Sequence, residues 1–355
     1  MSARRKRKSY EPVSSTRLMT SKFFCNIASY FPGVVVCGVI ALAATFVSEH
    51  YGGPQLLYAL LMGLAFHFLN GNPKAAKGIN FCGRTVLRCG VALLGARITL
   101  SQVSKLGVET AFTGVAAVAL TILVGVLLAR WLGATREQGL LTGGAVAICG
   151  ASAALAISSV LPQTKENERF TLLAVVGVTV MSTVAMILYP LGLQLLGMSP
   201  GQSGIVLGGS IHDVAQVVAA GMMLGPEAGD TATVVKLFRV MLLMPVVLII
   251  AVMYRQHADV NAPENDVPLI PSFLIAFIVL VMLASIGTIS PEMVKVASDA
   301  SRWMLVIALA AAGVKTSFED LLKLGWRPVA MLVGETVFIV VFIVAAVLLL
   351  KLGVA

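Results

Sequence analysis

Residues 208–221 read GGSIHDVAQVVAAG. A serine, a histidine, an aspartate and a glutamine follow a glycine pair here, inside a segment, 203 to 224, that is otherwise apolar or small enough to span a membrane. A carboxylate at that depth is expensive, so Asp213 is expected to face water or a partner and to mark an ion or proton path. At helical spacing His212 and Gln216 (i, i+4) share a face, and Asp213 and Gln216 (i, i+3) are neighbours. The competing reading of the same cluster is a hydrogen-bond network that glues helices together. The glycine pair Gly208–Gly209 weakens the helix and lets another backbone or an ion come close, which favours a broken span or a re-entrant hairpin.

A second stretch has the same character. TGGAVAICGASAALAIS, residues 142–158, also opens with a glycine pair, Gly143–Gly144, and runs into small residues. Backbone N–H groups freed at such a break bind anions, and the helix dipole adds partial positive charge. Two breaks converging near the midplane would therefore hold an anion without a formal cation. Tight helix packing through small residues is the alternative for 142–158. The expected substrate-binding set is Gly143, Gly144, Ser152, Gly208, Gly209, Ser210, His212 and Gln216, with Asp213 coupling an ion. Lys236 and Arg239, three apart on the next span, are candidate charge partners that would neutralise Asp213 or attract the anion. Glu335 is the other mid-span carboxylate, read as half of a structural pair or as snorkelling.

Composition agrees with a bilayer setting. The chain has 355 residues, 58% hydrophobic and 12% charged, and its mean hydropathy is +0.92; a soluble domain carries roughly 25% charged residues. The expected fold is an all-α polytopic membrane protein. Apolar runs at 31–49, 54–70, 81–98, 108–131, 138–161, 169–196, 203–224, 233–254, 271–289, 301–315 and 328–351 give ten or eleven transmembrane helices. Trp131, Trp303 and Trp326 fall at span ends, as an aromatic belt requires.

The net charge of +9 could point to nucleic acid, but its placement points to topology. The block Arg4, Arg5, Lys6, Arg7, Lys8 opens a polar segment, 1–30, that reads as a basic cytoplasmic tail. A cleavable signal peptide is the less favoured reading, because the following apolar run continues past Ala41-x-Ala43 through Phe46. Residues 31–355 are expected to form a single transmembrane transporter domain. With the amino end inside, eleven spans place Lys74, Lys77, Arg130, Arg136, Lys323 and Arg327 in the cytoplasm, and Lys165, Arg169 and Lys295 outside. Five scattered cysteines (Cys25, Cys37, Cys82, Cys89, Cys149) and four scattered histidines (His50, His67, His212, His257) suggest no metal, cofactor or disulfide framework.

One internal repeat shows. Residues 84–107 align without gaps on 302–325, matching Arg84/Arg302, Leu87/Leu305, Ala92/Ala310, Gly95/Gly313 and Lys105/Lys323, with Arg97 opposite Lys315. The copies, around 81–132 and 300–351, lie an odd number of spans apart and should run in opposite directions. Inverted repeats belong to alternating-access transporters.

Four stretches carry a family resemblance: LLGARITLSQV at 93–103, TGGAVAICGASAALA at 142–155, GGSIHDVAQVVAAG at 208–221 and KLFRVMLLMPVVLI at 236–249. Through them the chain resembles the bacterial sulfate exporter family of inner-membrane proteins. That family is similar to bile-acid and arsenite transporters and sodium/proton antiporters. The resemblance implies ion-coupled secondary transport, with export of a small anion such as sulfate, a sulfonate or a related sulfur oxyanion or organic anion. The alternatives are a sodium or proton/cation antiporter and an anion channel of similar fold. The chain has no serine or cysteine nucleophile motif, no HExxH and no paired carboxylates, so an enzyme is not expected. The expected partners are the anion, a proton or sodium ion, the lipid bilayer and a second copy of the chain, and not nucleic acid.

Overall fold

The computed structural model describes residues 15–52, 54–162, 164–254, 272–316 and 325–353. The basic block at 4–8, the loop around Pro263 and the repeat's Lys323 lie outside the described residues. All regular structure within them is helical. In chain order the helices are α1 (Ser15–Tyr51), α2 (Gln55–Ala65), α3 (Pro73–Phe81), α4 (Leu87–Leu94), α5 (Leu100–Lys105) and α6 (Gly107–Trp131). Next come α7 (Arg136–Ala147), α8 (Ala151–Ser158), α9 (Lys165–Leu195), α10 (Pro200–Ser210) and α11 (Val214–Leu224). The last five are α12 (Pro226–Met241), α13 (Leu243–Tyr254), α14 (Ser272–Ser285), α15 (Pro291–Lys315) and α16 (Trp326–Leu349). A π-helical turn, Cys82–Val86, joins α3 to α4.

Six stretches are long and apolar enough to cross a membrane: Ser29–Tyr51, Gly107–Trp131, Lys165–Leu195, Pro226–Tyr254, Pro291–Lys315 and Trp326–Leu349. Their outer faces show large apolar side chains such as Phe46, Leu127, Leu188, Ile249, Val337 and Leu348, as lipid contact requires. The all-α polytopic membrane fold is therefore established. Helix α1 begins at Ser15, so the second half of the polar tail continues the helix of the first span.

Two of the segments counted as spans, 138–161 and 203–224, take the re-entrant form of the two that their glycine pairs left open. After Ala147 the chain breaks and α8 folds back along α7: a side chain at Gly144 would collide with Ile157, and Gln138 Nε2 donates to Glu166 Oε1 at 3.3 Å, bringing the start of α7 beside the start of α9. The α10–α11 segment does the same from the other side. Gly204 packs on Ala228 and Thr231, Gly221 on Ala228 and Gly229, so both arms meet the same end of α12. Ser199, at the start of α10, donates through its hydroxyl to the Gly353 carbonyl beyond the end of α16. These are two re-entrant hairpins entering from opposite faces, and the number of crossings is lower than ten or eleven for that reason. The first hairpin also moves Lys165 and Arg169, expected across the membrane from Arg136, onto the same face as Arg136.

Both hairpins enter through the same local device. Thr135 and Gln138 form a capping box at the start of α7, and Ser199 and Gln202 form one at the start of α10, with Pro200 in its first turn. Each box satisfies two otherwise orphaned backbone donors where a helix starts at a membrane surface. The glycine pairs then let the hairpins sink into the bundle. A Cβ on Gly125 of α6 would lie 2.6 Å from the Gly139 carbonyl oxygen and 2.8 Å from the Gly143 Cα, so α6 and α7 touch backbone to backbone.

The repeat copies pack on each other head to tail. Gly83 faces Ala311 and Lys315, while Gly90 faces Ser301, Met304 and Leu305, and Ser301 Oγ donates to the Gly90 carbonyl at 2.6 Å. Rising numbers on one copy meet falling numbers on the other, the antiparallel relation expected of inverted repeats.

The hairpin topology makes a labelling prediction. In a background free of native cysteines, Thr135→Cys and Ser159→Cys should react with a membrane-impermeant thiol reagent from the same side of sealed vesicles. Labelling from opposite sides would mean that 136–158 crosses the bilayer and that the hairpin is wrong.

Candidate functional site at the meeting of two hairpins

The hairpin tips meet inside the bundle. The first tip turns at Ile148 (φ −114°, ψ −83°) and at Gly150. Gly150 has φ +64° and ψ −125°, a conformation that only glycine adopts without strain. A Cβ there would lie 3.6 Å from the His212 Cβ on the second tip. The second tip passes through Ile211 (φ −67°, ψ 142°) and Asp213 (φ −96°, ψ 142°), extended backbone between two helices.

Each break leaves a helix end with carbonyls and a helix start with N–H groups. The carbonyl ends are satisfied by two cations from α12, both fully buried. Lys236 Nζ donates to the Ile148 carbonyl at 2.5 Å and to the Ile211 carbonyl at 2.9 Å, bridging the tips. The Arg239 guanidinium donates to Val146 O at 3.0 Å, to Gly208 O at 3.0 Å, to Ile211 O at 3.3 Å and to Ala147 O. One arginine thus holds the ends of α7 and α10 together. Cations at helix C-termini also offset the negative end of the dipole. The two residues expected as partners of Asp213 make these bonds to carbonyls, and neither forms an ion pair with Asp213 among the described residues.

The helix starts differ. Gly150 gives α8 no side-chain cap. Helix α11 is capped by Asp213, whose Oδ1 accepts from Ala215 N at 2.8 Å. The Asp213 backbone N–H donates to Ser182 Oγ of α9 at 3.0 Å. Asp213 is half-buried and Ser152, in the first turn of α8, is exposed, whereas the other expected site residues are buried.

The other expected residues are placed as follows. His212 is fully buried, its Nε2 2.9 Å from Thr336 Oγ1 of α16, and its Nδ1 has no hydrogen-bond partner among the described residues. Gln216 is buried, with its Oε1 3.5 Å from Ser182 Oγ. Ser210 Oγ donates to the Val206 carbonyl at 2.6 Å. Gly143 backs onto Thr121 and Ile122 of α6, Gly144 onto Ile157, Gly208 onto Ala232 and Gly209 onto Ile343. The structure gathers His212, Asp213 and Gln216 around the tips, with Ser152 at the start of α8, and sets the four glycines against neighbouring helices.

Residues 32–332 match the family described as Conserved hypothetical protein 698. The chain is 48% identical over 321 residues to a UPF0324 membrane protein of Chlorobaculum tepidum, covering 90% of this chain and 89% of that one. It is 48% identical over 326 residues to the UPF0324 membrane protein TauZ of Paracoccus pantotrophus, covering 91% and 96%. A UPF0324 membrane protein of Rhizobium meliloti is 46% identical over 336 residues. The chain belongs to the UPF0324 family of membrane proteins.

Sequence reasoning missed the hydroxyl partners of these residues and misjudged Glu335. Ser182 lies between Thr179 and Thr183, whose hydroxyls bond their own helix backbone, and nothing in the letters separates it from them. Thr142 and Thr336 are threonines in apolar helices, where the hydroxyl is usually spent on its own backbone. Glu335, expected to pair with a cation or snorkel, does neither: it is fully buried and bonded to Thr142. A usable signal was present for the hairpins, since Thr135-x-x-Gln138 and Ser199-x-x-Gln202 each precede a glycine pair.

Proposed function

We propose that this protein is a secondary active transporter that moves a small anion, such as sulfate, a sulfonate or a related sulfur oxyanion or organic anion, across the bacterial inner membrane, with export coupled to an ion. The observation that carries this reading is the meeting of two oppositely inserted hairpin tips. At that meeting the carbonyl ends are occupied by Lys236 and Arg239, while the start of α8 lacks a side-chain cap. The local field that remains is positive, and an anion is its natural ligand. Asp213, half-buried at the start of α11, supplies a carboxylate that can neutralise a sodium ion or exchange a proton as access alternates.

A cytoplasmic amino end is supported by charge placement. Lys74 and Lys77 of α3, which packs on the first part of α1, share a face with Arg130, Arg136, Lys165 and Arg169. A sodium or proton antiporter is the second reading, favoured by the Asp213 carboxylate, the Ser182 hydroxyl and the Gln216 amide oxygen at one tip.

Thermal unfolding of detergent-purified protein separates the two. Sulfate, sulfite, thiosulfate, taurine, other sulfonates and dicarboxylates would be titrated with and without sodium. A native-state ligand at 100 times its Kd adds about 2.7 kcal/mol of apparent stability. Stabilisation by one class of anion is expected. A shift with sodium alone, and with no anion, would transfer the assignment to the antiporter.

A further inference from the structure

Glu335 is an ionisable group that the reading above does not use. It lies on α16, fully buried, where α6, α7, α9 and α10 pack around that helix. A Cβ on Gly125 would be 2.8 Å from its Oε1, so the α6 backbone presses on the carboxyl. Thr142 Oγ1 is 2.7 Å from Glu335 Oε1 and 3.1 Å from the Gln138 carbonyl oxygen. Glu335 Oε2 has no hydrogen-bond partner among the described residues.

Proton counting decides what this carboxyl holds. The Gln138 carbonyl can only accept, and the Thr142 hydroxyl has one proton to give. If Thr142 gives it to Glu335, the result is a buried carboxylate with one hydrogen bond, an orphaned second oxygen and no cation. Among the described side chains, the charged and titratable ones on the packed helices are Glu109 and Arg130 of α6, Arg136 and Glu137 of α7, and Lys165, Glu166, Arg169 and Tyr189 of α9; α10 has none. None of these makes an ion pair with Glu335: the one ion pair among the described residues is Arg97 with Asp230. An uncompensated buried charge is strongly unfavourable. If Thr142 instead gives its proton to Gln138, Glu335 can donate a carboxylic-acid proton to Thr142 Oγ1, and no charge is buried.

We infer that Glu335 is a proton-binding site that couples proton movement to both hairpins, an inference that rests on the transporter reading and names its coupling ion. Glu335 touches the first hairpin through Thr142. The adjacent Thr336 touches the second through His212. On release, the carboxylic O–H bond breaks, its electron pair stays on the carboxylate and the proton passes to water. A cavity of about 470 Å³ lined by Val126, Arg130, Ala134 and Arg136 reaches the residue next to Gly125 and is the route by which water would take the proton. Thr121, one turn before Gly125, carries a buried hydroxyl with no partner among the described residues, a donor for the carboxylate once formed. A charged Glu335 no longer fits its dry contact with α6 and α7, so deprotonation loosens α16 from the first hairpin and shifts the contact at His212.

The test uses full-length protein in vesicles. Glu335→Gln keeps a donor for Thr142 but cannot release a proton. Its anion-dependent thermal stabilisation and anion-for-anion exchange should match wild type, while flux driven by a proton gradient falls to that of protein-free vesicles. Proton-driven flux at the wild-type rate in this variant would overturn the inference. Infrared spectra of wild type and Thr142→Val decide the matter even where Glu335→Gln does not fold: a protonated-carboxyl C=O band in wild type should move when Thr142 loses its hydroxyl. No band that responds to Thr142→Val would also overturn it. Wild type that binds no anion and shows no gradient-driven flux would remove the transporter reading, whereas the infrared result would still report whether Glu335 holds a proton.

Discussion

Asp213→Asn is expected to reduce gradient-driven anion flux to the level of protein-free vesicles while leaving a folded, monodisperse protein. The two outcomes separate because Asp213 has two roles. Its Oδ1 caps α11 by accepting from Ala215 N, and asparagine is about as good an N-cap as aspartate, so the change in stability should stay within a few tenths of a kcal/mol. What asparagine cannot do is carry a negative charge or exchange a proton. Asp213→Ala is the useful companion: it loses the cap as well, and should cost about 1 kcal/mol of stability in addition to the flux. Flux assays and thermal unfolding on the same preparations read both effects. Coupled flux at the wild-type rate in Asp213→Asn would leave the residue a helix cap and nothing more.

Arg239→Leu should have the largest effect on stability. Its guanidinium is the shared donor for Val146, Ala147, Gly208 and Ile211 carbonyls, on both hairpins at once. Without it the Val146, Ala147 and Gly208 carbonyls lose this donor while Ile211 keeps Lys236, and an unsatisfied buried polar group costs about 1–3 kcal/mol. Lys236→Met takes the donor from the Ile148 carbonyl, leaves Ile211 with Arg239 and should destabilise less. Arg239→Lys should not restore stability, because one ammonium is a point donor and cannot span two helix ends as the planar fork does. Size-exclusion profiles and unfolding midpoints should therefore rank wild type above Lys236→Met, and that above Arg239→Leu. An unfolding midpoint for Arg239→Leu equal to wild type would show that the hairpins are held by something else.

Much of this was legible in the sequence, and the limits have physical causes. Hydropathy is a local quantity, so it found apolar segments, and the Gly-Gly pairs with His212 and Asp213 located both breaks. Whether a broken segment continues across or turns back depends on contacts such as Gly144 with Ile157, which no window of sequence contains. The error in placing Lys165 and Arg169 follows from that alone. Lys236 and Arg239 were visible as mid-span cations at i, i+3, but their partners are backbone carbonyls, which have no letter in a sequence. Glu335 looked isolated for a related reason: Thr142 stands 193 positions away in the chain. The aligned segments run antiparallel where they touch, Gly83 on Lys315 and Gly90 on Ser301, although the two copies carry different residues at these contacts.

The most direct test of the central claim is anion flux in vesicles reconstituted with purified wild-type protein. The anion that gives the largest thermal stabilisation would be loaded inside, and its efflux followed on imposing a proton or sodium gradient. The account predicts efflux that saturates with anion concentration, moves the anion against its own gradient when the ion gradient is imposed, and disappears in Asp213→Asn. Efflux that only runs down the anion's gradient, at a rate indifferent to protons and sodium, would contradict ion coupling and describe a channel.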